Sequence, residues 1–140
     1  MGNLNMWLPT EKDIENYFLL SDMLEAQRKE FNPLSRKKSN EQLNPIKIKM
    51  VNRILEPLNK LFKNEASHKF LDILNEDDMP TNSDVVLVIS QYETAINEFR
   101  KKYYFKDEYL LNEDAYPTWR WITKEKPSDY YKDNDIEDDL

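Results

Sequence analysis

His68 is the single histidine of the chain, so any Ser-His-Asp relay or imidazole-ligated metal would have to use it. Glu65 and His68 carry the Glu-x-x-His spacing with which di-iron helix bundles aim a carboxylate and an imidazole at one metal pair. Such a site needs a second copy of the motif and two further inward carboxylates, and one histidine supplies half of it. The segment that reads as the main helix offers only Glu93 and Glu98, both off its apolar stripe. His68 is therefore expected to be a surface histidine on a short helix. Asp72, Glu76, Asp77 and Asp78 carry oxygens suited to a hard cation, but they lack the alternating Asx ligands, the central glycine and the closing Glu of a calcium loop. They read as a solvated acidic loop. No catalytic residue, metal ligand or cofactor is assigned.

Composition removes other chemistries. Gly2 is the only glycine, whereas phosphate-cradling loops, dinucleotide-binding turns and the hydrolase nucleophile elbow each need glycine where the backbone turns sharply or approaches a ligand. Few tight turns also imply few, long elements, with asparagine expected at any left-handed helix stop. With no cysteine, the chain has no disulfide or thiolate framework, which agrees with a reducing compartment. No run approaches the ~20 apolar residues of a membrane span, and the start lacks the basic and apolar regions of a signal peptide. The expected location is cytoplasmic.

Charge is unevenly distributed. From Arg28 to Lys63 there are ten bases against three acids, inside a chain of net charge −7. Arg36, Lys37, Lys38, Lys47, Lys49 and Arg53 form a candidate phosphate-binding set, because lysine and arginine hold a polyanion by releasing its counterions. The plain account is that these are the solvated faces of two amphipathic helices. Overall acidity argues against a dedicated DNA binder.

Tyr116, Trp119, Arg120 and Trp121 form the second candidate. These residue types dominate binding hot spots because each brings a large area with few rotors to freeze. The same residues equally suit a lid on a small core.

The elements that would position these groups follow from periodicity. Val85, Ile89, Tyr92, Ile96, Phe99 and Tyr103 recur at steps of four and three, one stripe of a helix over Ser83 to Phe105 with Ser83 as its cap and its first half enclosed on nearly all sides. Val85 to Ile89 also resembles a buried strand, but the stripe continues well beyond it. Thr10 and Asp13 form a capping pair that opens a helix from Glu11 to about Phe31, which Asn32-Pro33 should stop. Asn44-Pro45 starts a second helix, expected to kink or to break into two parts at Pro57. A shorter helix is predicted from about Glu65 to Leu74, and Trp7 should anchor the lead-in over the core. Tyr116 to Ile122 alternates large apolar with polar residues and reads as an extended strap. From Ser128 to Leu140 six acids stand with one lysine, a mobile tail by composition.

The fold expected is thus all-α, a single compact bundle of four to five helices spanning 1–127, with an extended aromatic C-terminal strap and an acidic tail at 128–140. The function expected is that of a non-enzymatic helical interaction protein, an adaptor or accessory subunit working through a protein partner. The alternative is a nucleic-acid-associated subunit or regulator that uses the basic 28–63 region. Self-association is compatible with either.

Overall fold

The structure, a computed structural model, describes residues 6–127. The expected acidic tail lies outside the described residues. The architecture is not an all-α bundle of four to five helices. Among the described residues three α-helices, α1 (Glu11–Lys37), α2 (Pro45–Leu61) and α3 (Asn82–Tyr103), are followed by an antiparallel pair of strands, β1 (Tyr104–Leu111) and β2 (Pro117–Trp121). The chain divides into two compact units, one of residues 16–99 and one of residues 1–15 with 100–140.

In the 16–99 unit the apolar stripe of α3 lies in the core as expected, with Val85, Ile89, Tyr92 and Phe99 essentially inaccessible. Each such side chain contributes about 1.5–3 kcal/mol by leaving water. α2 presents Ile48, Val51, Ile54, Leu55, Leu58 and Leu61 to the same core. Phe62 and Phe99 meet with ring centroids 5.3 Å apart, and Tyr17 of α1 stacks on Phe99. Leu87, however, is 63% exposed, so the first half of α3 is not enclosed on nearly all sides. Arg28 of α1 ties the helices together by donating to Glu93 and, at 2.8 Å, to Ser90 Oγ.

Helix ends differ from expectation for identifiable reasons. α1 runs through Pro33 to Lys37, and α2 runs through Pro57 as one helix. Each proline deprives the carbonyl four residues earlier of its donor, but Lys29 and Arg53, which carry those carbonyls, are exposed, so water can replace the missing bond. α3 is capped by Thr81 rather than Ser83. Asp84 Oδ2 accepts from the Thr81 N–H at 2.8 Å, and Thr81 Oγ1 accepts from the Asp84 N–H at 3.3 Å. At α1 the Thr10–Asp13 pair makes the same reciprocal bonds.

The helix predicted over 65–74 is absent. Two short 3-10 turns, Ala66–Phe70 and Glu76–Asp78, stand in an otherwise irregular segment. That segment returns along α2: Asn59 holds Leu71, Asn52 holds Leu74, and Leu43 and Gln42 meet Pro80 and Thr81. A return spanning a helix of 17 residues, about 25 Å, needs extended backbone more than a compact coil. Side-chain amides of α2 supply the bonds a helix would have supplied internally. Asn52 both donates to the Leu74 carbonyl and accepts from its N–H, at 2.8 and 2.9 Å.

With no glycine after Gly2, left-handed backbone among the described residues falls on Met79 (φ 49°) and Ala115 (φ 65°), not on asparagine. Met79 ends the second 3-10 turn. Ala115 lies in the loop joining β1 to β2, where Asn112 Oδ1 accepts from the N–H groups of Asp114 and Tyr116.

Candidate functional site

The β1–β2 hairpin carries the aromatic candidates. Its register pairs Tyr104 with Trp121, Phe105 with Arg120, Lys106 with Trp119 and Asp107 with Thr118. Since side chains alternate between the faces of a strand, Tyr104, Lys106, Trp119 and Trp121 share one face. Phe105, Asp107, Thr118 and Arg120 share the other.

On the first face Tyr104 stacks on Trp119 with centroids 5.5 Å apart and tilts against Trp121 at 5.1 Å. The Arg100 guanidinium lies 5.0 Å from the centre of the Tyr104 ring, a cation–π contact. Trp119 remains 58% exposed, while Tyr104 and Trp121 are half-buried and Lys106 is exposed. The result is a ladder of rings with an open outer face and cationic groups at its margin. Tyr116, at the turn end, is exposed as well.

Arg120 does a different job. Its Nε donates to Asp107 Oδ2 at 2.8 Å, Nη1 donates to the Lys126 carbonyl at 2.9 Å, and Nη2 donates to the Pro127 carbonyl. The guanidinium also lies over the Phe105 ring at 5.7 Å. These contacts secure the hairpin to the segment after it. Trp7 meets Tyr103 edge-on at 5.7 Å, so the lead-in is anchored by this tryptophan.

The six phosphate-binding candidates stand at the end of α1, just after it and on α2. Arg36 and Lys37 occupy the last turn of α1, and Lys38 follows, 3.7 Å from Glu41. On α2, Lys49 and Arg53 share a face at i and i+4, whereas Lys47 lies on another side of the helix and is half-buried. Arg28, counted with the basic segment, is committed to Glu93 and Ser90.

His68 takes part in a polar network. Its Nε2 lies 2.9 Å from Asn59 Oδ1, and Asn59 Nδ2 donates to the Leu71 carbonyl and to the Tyr92 hydroxyl, both at 3.1 Å. Because Oδ1 is only an acceptor, the imidazole donates. Burial pushes the Tyr92 phenol above its ordinary value; the hydrogen bond from Asn59 works against that rise and the charge of Asp72 adds to it. Among the described residues no group of three or more His, Asp or Glu is placed to hold a metal ion.

Sequence reasoning found the tryptophans but missed Tyr104 and Arg100, because it carried the helix through Phe105. The signal available was the polar stretch Asn112 to Ala115 between two aromatic-rich segments, a hairpin pattern. No family model matches the chain, and no curated protein or solved structure matches it either.

Proposed function

We propose that the chain is a non-enzymatic interaction protein, an adaptor or accessory subunit that engages a protein partner through the outer aromatic face of the hairpin. The observation that carries this reading is Trp119, the largest side-chain type, left more than half exposed on a strand whose neighbours hold it in place. Rigid aromatic groups with one open face lose little side-chain entropy on binding and exclude much water, which is how interface hot spots work. Arg100 and Lys106 at the margin suit a partner with carboxylates at its rim. In the absence of cysteine we place the protein in the cytoplasm; among the described residues no helix is long and apolar enough to cross a membrane.

The test uses the Trp119→Ala variant beside the unaltered chain in affinity capture from the native host. The variant is expected to melt within a few degrees of the unaltered chain, since the lost stacking is worth about 0.5–1.5 kcal/mol, and to lose one defined protein that the unaltered chain retains. A variant that unfolds would make Trp119 a lid. One that folds and captures the same set would remove the hairpin face from the interface.

A further inference from the structure

We propose that the outer face of α2 is a second docking surface, built for an acidic amphipathic helix of another protein. Ile46, Lys49, Met50 and Arg53 fall at i, i+3, i+4 and i+7, one unbroken stripe on the side of α2 away from its core residues. Ile46 is 71% and Met50 56% exposed. An aliphatic pair one turn apart, both open to water, is unlike the scattered single apolar residues of ordinary surfaces.

The patch extends onto α1. Gln27 Nε2 donates to the Met50 carbonyl at 3.1 Å, and Met23, one turn before Gln27, is exposed too. Two methionines thus flank the seam between α1 and α2. Their unbranched thioether chains adapt to varied apolar partners, as on surfaces that accept amphipathic helices.

Charge names the partner's chemistry. α2 carries four bases against one acid, and its first turn has no acid. Among the described residues neither Lys49 nor Arg53 has a carboxylate partner, although Lys12, Lys29, Lys38 and Lys126 each do. Cations left unpaired on either side of exposed aliphatic groups match a helix with leucine-type residues at i, i+3, i+4 and i+7 and glutamate or aspartate beside them. A bare polyanion would satisfy Lys49 and Arg53 but leave Ile46 and Met50 in water. A purely apolar segment would strand the cations.

Fluorescence anisotropy tests the proposal with a labelled helical peptide of about 18 residues, leucine at those spacings and glutamate elsewhere. Its scrambled counterpart, oligothymidylate of similar length and vesicles containing phosphatidylserine serve as competitors. The amphipathic peptide is expected to bind at least about tenfold tighter than the scrambled one. Met50→Glu and Arg53→Glu should each weaken it by about tenfold or more, while Trp119→Ala leaves it unchanged, which separates this surface from the hairpin. Both substituted positions are exposed, and circular dichroism verifies that the variants fold. Absence of binding up to about 100 μM overturns the proposal. So does equal binding of oligothymidylate or vesicles, or indifference to Met50→Glu. Sedimentation showing a dimer that Met50→Glu dissociates would assign the face to a second copy of this chain instead.

Discussion

Asp107 and Arg120 meet across the hairpin with Nε 2.8 Å from Oδ2, the Asp107 side chain 1% and the Arg120 side chain 13% exposed. The pair lies on the face opposite the aromatic ladder, so it sets the position of the strands that carry Trp119 and Tyr104. Removing the guanidinium takes a paired cation away from a buried carboxylate. Arg120→Ala is expected to destabilise the protein by about 3–5 kcal/mol. Urea denaturation followed by tryptophan fluorescence measures this, since Trp119 and Trp121 both stand on β2. A loss below about 1 kcal/mol would mean that the pair is replaced by water without consequence.

Asn52→Ala tests the return segment along α2. The substitution strands the N–H and carbonyl of Leu74, each of which would need a new partner, at an expected cost of about 1–3 kcal/mol. Amide exchange should quicken at Leu74 while the core of α3 stays protected at low denaturant. Uniform quickening throughout the chain would show that the segment does not open on its own.

Tyr92 predicts an alkaline dependence of stability. Its phenol titrates above the ordinary value of 10.0 in the folded protein. Below about pH 10 it is protonated whether folded or unfolded, so its contribution is present in full. Above that pH the unfolded chain ionises first, and the contribution is lost as pH rises through the folded value. The stability gap between the unaltered chain and Tyr92→Phe should be constant from neutrality to about pH 9 and shrink beyond 10. A gap that widens there would contradict the assignment.

Ala115 occupies left-handed backbone at φ 65°, a region in which its Cβ crowds the following carbonyl. Ala115→Gly relieves that contact, offset in part by greater freedom of the unfolded chain, for an expected net gain of about 0.5–1 kcal/mol. The melting temperature should rise by a few degrees, with β1–β2 contacts unchanged in nuclear Overhauser spectra.

Local signals were legible where neighbouring residues settle the outcome. The Thr10–Asp13 box, the Asn44-Pro45 start and the stripe from Val85 to Tyr103 all form as the spacing predicts, because the partners lie within one turn or share one helical face. The extended character of Pro117 to Trp121 was readable from alternation for the same reason. Pro33 misled, since whether a freed carbonyl is tolerated depends on whether it faces water.

By itself the amino-acid sequence determined where α1 and α2 begin and which stripe of α2 and of α3 is buried. Only the tertiary structure decided that Tyr104 leaves the helix to pair with Trp121, that Asn52 and Asn59 hold a return segment in place of a fourth helix, and that Arg120 turns away from Trp119 to Asp107. Each of these depends on a hydrogen-bonding partner at least 12 residues away, and a backbone group's choice between a local partner and a distant one is made by the packing that brings the distant one within reach.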